Sequence, residues 1–158
     1  MARIVGTFSG NGSMSDFYKI DKLRGFKTFQ SKHDAEYARD IQIELSRLEC
    51  APYVLSEIGR IRISGYQGLS AWGYITEIAK TIKNGDNFGE VPRRYRKELM
   101  ELHKNIRYYT PYEFADDHVG NVGFVIRNKK RVLVCIDTGP ESIGSGTSYC
   151  PTSTSYNC

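Results

Sequence analysis

The sequence predicts an α+β protein: a small antiparallel β-sheet lobe with one helix, then a minimal second lobe built from a helix and a β-hairpin. Three observations predict it. Short β-branched and aromatic stretches separated by glycine and polar turns fill the start of the chain. An apolar stripe at helical spacing runs through Ala38, Ile41, Leu45 and Leu48. Two apolar runs flank the polar turn Asn128-Lys129-Lys130.

Taken in order, residues 3–8 read as a strand and Ser9-Gly10-Asn11-Gly12-Ser13 as a turn-rich loop. Residues 16–20 and 25–29 are two more strands joined at residues 21–24, so the chain is expected to open as an antiparallel meander. Ser31 with Asp34 forms the pattern of a capping box, and a helix follows to about Glu49, ended by Ala51-Pro52. Residues 53–58, 60–63 and 73–77 are strand candidates, with Trp72 and Tyr74 packing on the sheet. Residues 84–89 form the linker, placing a first lobe at 1–83 and a second at 84–139. Residues 91–104 read as a basic helix with Pro92 in its first turn. Residues 123–127 and 131–136 pair as the hairpin. The Ser/Thr-rich stretch 140–158 has few apolar groups to offset its ordering entropy and is expected to be a mobile tail.

The bulk properties exclude several classes. A chain of 158 residues, 40% hydrophobic and 25% charged, is long enough to bury a core, and its longest apolar run, 132–136, is too short to span a bilayer. The net charge of +4 falls well short of a nucleic-acid arm, so nucleic acid is not the expected partner. Cys50, Cys135, Cys150 and Cys158 show no C-x-x-C spacing, no zinc register and no visible secretory signal beside them, which places the expected protein in a cytoplasm with reduced thiols. The sequence leaves open whether Cys150 and Cys158 pair.

The chemistry-bearing stretch is Asp116-Asp117-His118-Val119-Gly120-Asn121, followed after the hairpin by Ile136-Asp137-Thr138-Gly139. A turn centred on Lys129 sets Asn121 and Asp137 opposite each other at the open end of the hairpin, about 5 Å apart at Cα. An amide oxygen and a carboxylate so placed suit a hard cation such as Mg²⁺. Asp116, five residues before Asn121, is left as a separate base. His33 and His103 read as surface residues, and Arg93-Arg94-x-Arg96-Lys97 as one solvated helix face.

This order of residues resembles the protein-kinase-like superfamily, especially its compact small-molecule and phage-type members. The catalytic loop of many such members reads Asp-x-His-x-x-Asn, matched at Asp116, His118 and Asn121. The metal motif is matched by Val132-Leu133-Val134-Cys135-Ile136-Asp137-Thr138-Gly139. Gly73-Tyr74-Ile75-Thr76-Glu77-Ile78-Ala79 is similar to the strand and nucleotide hinge. Gly6, Gly10, Gly12 and Ser13 loosely match the phosphate-covering loop, and Lys27 the phosphate-pairing lysine. The resemblance implies a kinase-like fold binding ATP with Mg²⁺. Asp116 would be the catalytic base, Asn121 and Asp137 the metal ligands, and Gly10, Gly12 and Ser13 the phosphate cradle. Glu77, Ile78 and Ala79 would meet the adenine edge, with His118 and Gly139 in support. The helix carboxylate partnering Lys27 is Glu44 or Glu36, with Gln42 a neutral third choice; Glu44 has the more usual separation. Lys19 is read as a residue of an exposed strand face.

Departures shape the expected function. Phe114-Ala115 stands where protein kinases carry His-Arg, and Thr138 replaces the Phe of the metal motif. No Ala-Pro-Glu segment follows Gly139, so the helices that grip a peptide are not expected within these residues. The expectation is an ATP-dependent phosphotransferase acting on a protein or small-molecule hydroxyl, with the Ser/Thr tail as a cis acceptor. The alternative is a pseudokinase-like interaction protein that binds and inhibits a host or regulatory partner. A basic RNA- or DNA-binding domain is a third reading.

Overall fold

A computed structural model describes residues 4–9, 17–64, 70–82, 89–139, 142–145, 151–152 and 156–157. The chain is mixed α+β, with small sheets and two α-helices, and it divides into two compact units: residues 1–43 with 53–78, and residues 44–52 with 79–158. No helix among the described residues is long and apolar enough to cross a membrane.

The first unit is built on a five-stranded sheet. Its strands are β1 (Ile4–Ser9), β2 (Phe17–Lys19), β3 (Arg24–Phe29), β4 (Gly59–Ser64) and β5 (Ser70–Glu77), in the order β1-β4-β5-β3-β2. β2 and β3 pair antiparallel, as the turn between them predicts: Asp21 accepts the N–H groups of Leu23 and Arg24, both at 2.9 Å, and the Arg24 Nε–H at 2.9 Å. These donors, the Leu23 amide foremost, hold the Asp21 carboxyl below its ordinary value. The expected opening meander stops there, because β1 pairs with β4, in parallel, instead of with β2. Only β4 and β5 continue the antiparallel pattern, β5 lying between β4 and β3.

Residues 53–58 are not a strand. They reach β5 by an isolated bridge between Val54 and Thr76 and by single bonds such as Leu55 N–H to the Ile75 carbonyl at 2.8 Å. The core of this sheet is Tyr18, Phe26 and Ile61, with Ile20, Ala71 and Ile75 packed around it. Full burial of a side chain such as Phe26 is worth roughly 1.5–3 kcal/mol. Helix α1 (Lys32–Arg47) starts where Ser31 Oγ accepts the Asp34 N–H at 3.1 Å, and it buries Ala38, Ile41 and Leu45, the stripe its periodicity predicts.

In the second unit β6 (Lys80–Thr81), β8 (Val122–Arg127) and β9 (Lys130–Cys135) form an antiparallel sheet, β8 in the middle, around Ala79, Val125 and Val134. Helix α2 spans Arg96–Tyr109, later than the predicted 91–104, because Pro92 caps a separate 3₁₀ turn at Arg93–Tyr95. The helix buries Leu102 and Ile106 and lies against β7 (Tyr112–Phe114) and β9.

β7 pairs antiparallel with β10 (Ile143–Ser145). The chain after Gly139 is therefore not one mobile tail. Ser142 and Ile143 are fully buried, since an isoleucine set opposite Phe114 supplies the apolar anchor that the surrounding Ser and Gly lack. Further on, β11 (Pro151–Thr152) pairs with β12 (Tyr156–Asn157). The expected linker, Gly89 apart, lies outside the described residues.

Candidate functional site

The loop between β7 and β8 is folded around its own polar groups. Ser142 O anchors its start by accepting the N–H groups of Ala115 at 2.8 Å and Asp116 at 3.3 Å. His118 caps the 3₁₀ turn Val119–Asn121, its Nδ1 accepting the Gly120 N–H at 3.1 Å. With Nδ1 as acceptor, a neutral ring carries its proton on Nε2, which faces Asp116 Oδ2 at 3.5 Å. Asn121 closes the loop: its backbone N–H reaches the His118 carbonyl at 2.9 Å and its side-chain Nδ2 donates to the Asp116 carbonyl at 2.9 Å.

The hairpin joins this loop to Asp137. Asn128 and Lys129 have φ of 51° and 64°, so the reversal is a two-residue loop of left-handed residues and its centre falls between them. Val122 consequently pairs with Cys135, and Asn121 comes opposite Ile136, whose N–H donates to the Asn121 carbonyl at 2.8 Å. This corrects the register centred on Lys129, which set Asn121 directly opposite Asp137. Asp137 is the next residue along. Its Oδ1 accepts the Gly139 N–H at 2.9 Å, and its carbonyl accepts from Cys135 Sγ at 3.1 Å. A Cβ on Gly139 would lie 3.2 Å from that carboxylate oxygen, a tight approach that the Asp137 side chain would have to relieve.

The donor chemistry here fits a hard divalent cation. Asn121 commits its Nδ2–H to Asp116, which turns Oδ1 into the acceptor end, and Asp137 uses Oδ1 on Gly139, leaving Oδ2. Among the described residues no three His, Cys, Asp or Glu side chains gather as a metal cluster, so any metal here depends on the amide oxygen of Asn121.

The remaining candidates lie elsewhere in the chain's organisation. Lys27, Glu77 and Ile78 belong to the first unit; Glu44, Ala79, Asp116, Asn121 and Asp137 belong to the second. Lys27 sits on β3 opposite Tyr74, 7% exposed, with its ammonium 5.9 Å from the Phe29 ring. Lys19 is exposed, as expected. On α1, Glu36 is exposed and Glu44 half-buried. The sequestered polar residue is Gln42, 1% exposed and bonded to Tyr74 and Thr76.

At residues 77–78, where the resemblance places a hinge, the Glu77 N–H donates to the Tyr53 carbonyl at 2.9 Å, and the Ile78 N–H to the Leu23 carbonyl at 2.9 Å. Two of the amides assigned to an adenine edge are therefore spent internally. Gly10, Gly12 and Ser13 lie outside the described residues.

Sequence reasoning missed His103. It is a partly exposed residue, as expected of the surface, but not a free one: its Nε2 meets Asp117 Oδ2 at 2.7 Å and its ring stacks on Phe114 at 5.5 Å. With His118 it lines a cleft of about 360 Å³ whose walls include Glu90, Val91, Arg96 and Leu99. An acidic residue 14 positions downstream gives no sequence signal of such a pairing.

Comparison with protein-family models, with curated proteins and with solved structures found no match to this chain.

Proposed function

We propose that this chain is a compact protein-kinase-like phosphotransferase, moving the γ-phosphate of Mg-ATP to a hydroxyl. The observation that carries the reading is the tying of one loop to one strand end: Asn121 bonds the Asp116 carbonyl through its side chain and the Ile136 N–H through its backbone, with Asp137 the next residue. Strand, loop, hairpin and carboxylate follow in the order the kinase-like resemblance implies.

Asp116 serves as the base that takes the acceptor proton, and His118 Nε2 holds the orientation of that carboxylate. Asn121 and Asp137 would hold Mg²⁺, which neutralises charge developing on the transferred phosphoryl group. By the same resemblance Lys27, on β3 of the first unit, would be the phosphate-pairing lysine, with Glu44 or Glu36 as the expected helix partner.

The committed amides of Glu77 and Ile78 favour a second reading, a pseudokinase-like protein whose surface binds a host or regulatory partner without turning ATP over. Incubation with labelled Mg-ATP, with and without host lysate, separates the two. The enzyme releases ADP and labels an acceptor, and Asp116→Asn removes both. Absence of turnover and label in every condition, with partner capture unaffected by Asp116→Asn, is the result expected of the binder.

A further inference from the structure

The basic run leading into α2 plays no part in the proposed phosphotransfer; its four cations are exposed, as expected, and Arg94 among them is also held against a ring. The Arg94 guanidinium lies 4.7 Å from the centre of the Tyr95 ring, and the Arg131 guanidinium lies 5.2 Å from the same centre. The two cations are thus at most about 10 Å apart, about one Debye length at 0.1 M salt. Arg131 also stacks 4.1 Å over Phe124, and Tyr95 meets Phe124 edge-on at 5.1 Å. Lys80, exposed on β6, is the register partner of Phe124, so the two side chains emerge on the same face of the sheet. Among the described residues neither Arg94 nor Arg131 forms an ion pair with a carboxylate.

We propose that Arg94 and Arg131, held by the Tyr95 and Phe124 rings with Lys80 beside them, form a binding site for the phosphate group of a small molecule. Contact with the rings holds each guanidinium in place, and the N–H groups not directed at the Tyr95 phenol remain to meet an oxyanion. Holding two like charges against one ring is unfavourable without a counter-anion, and a phosphate dianion relieves it. The local field already acts on Tyr95, whose phenol is lowered from its ordinary value chiefly by its hydrogen bond to Arg94, with Arg131 contributing. The choice of phosphate over a nucleobase rests on the charge: two guanidinium groups and the Lys80 ammonium gather here, and the Tyr95 ring is already in contact with both arginines.

The test is titration calorimetry of the full chain with inorganic phosphate and, separately, with a short oligothymidylate, with thermal unfolding as the folding control. Phosphate binding is expected, weakened at least tenfold by Arg94→Gln and by Arg131→Gln, partly restored by Arg131→Lys, and retained in Tyr95→Phe, which keeps the ring. Asp116→Asn should leave it unchanged, which separates this site from the phosphotransfer reading. Absence of phosphate binding, equal binding in the folded Arg94→Gln and Arg131→Gln proteins, or binding of the oligothymidylate alone would overturn the assignment.

Discussion

The Tyr74 phenol donates to Gln42 Oε1 at 2.6 Å, with both side chains removed from water. Gln42 in turn donates its Nε2–H to Thr76 Oγ1 at 2.7 Å, and that hydroxyl lies 3.2 Å from the Tyr53 carbonyl. The relay ties α1 to β5 and to the segment before β4. Gln42→Met keeps the volume but removes the acceptor at 2.6 Å from the Tyr74 hydroxyl, so a loss of about 1–3 kcal/mol in urea unfolding is expected. Because the two side chains share that bond, adding Tyr74→Phe should cost less than the sum of the singles.

Gly73 on β5 pairs with Thr28 on β3. A Cβ there would collide with the main-chain carbonyl of Lys27, backbone that cannot swing aside as a side-chain tip can. Gly73→Ala should destabilise by roughly 1–3 kcal/mol or prevent folding, seen as a lowered Tm, while Gly144→Ala, with open space around it, should change packing little.

Asp116 and Asp137 should fail in different ways under the phosphotransfer reading. Asp137→Asn keeps an oxygen for the Gly139 N–H but loses the charge that attracts a cation, so the Mg²⁺ concentration giving half-maximal turnover should rise. Asp116→Asn should lower the maximal rate by about 10²–10⁴-fold with that Mg²⁺ midpoint unmoved. Turnover measured across a Mg²⁺ series distinguishes them.

Burial, with the Glu49 carboxylate adding to it, pushes the Cys50 thiol up from 9.0 to about 11. The folded state therefore holds this proton more tightly than the unfolded chain does. Its contribution is fully present below pH 9 and is lost as pH rises toward 11, about 2–3 kcal/mol in all. Chemical denaturation midpoints should fall across that window, and less so in Cys50→Ser. At pH 8 alkylating reagents should reach Cys50 only when the protein opens.

What the sequence revealed was mostly short-range. The α1 stripe and the β8–β9 hairpin follow from periodicity and turn composition, which neighbouring residues decide. The parallel pairing of β1 with β4 was hidden because it joins strands about fifty residues apart, and nothing local in Ile4–Ser9 encodes direction. Residues 53–58 have strand-like composition, yet they are held by scattered bonds to β5 instead of a ladder. At the site, Asp116, Asn121 and Asp137 were legible as a motif, but the register was off by one residue. Without a glycine, Asn128-Lys129-Lys130 does not declare which two residues take positive φ. His103 was lost for a similar reason, its partner lying beyond the end of its own helix.

The reversal at Asn128–Lys129 also limits how this chain can change length. One residue inserted there would shift one strand against the other by a single step, sending Leu133 and Val134 to exchange faces and carrying Asp137 away from Asn121. Two residues added symmetrically would extend the ribbon outward and leave its inner end untouched. The hairpin can therefore grow or shrink only in even increments, and homologous chains with loops of odd difference should carry a compensating bulge.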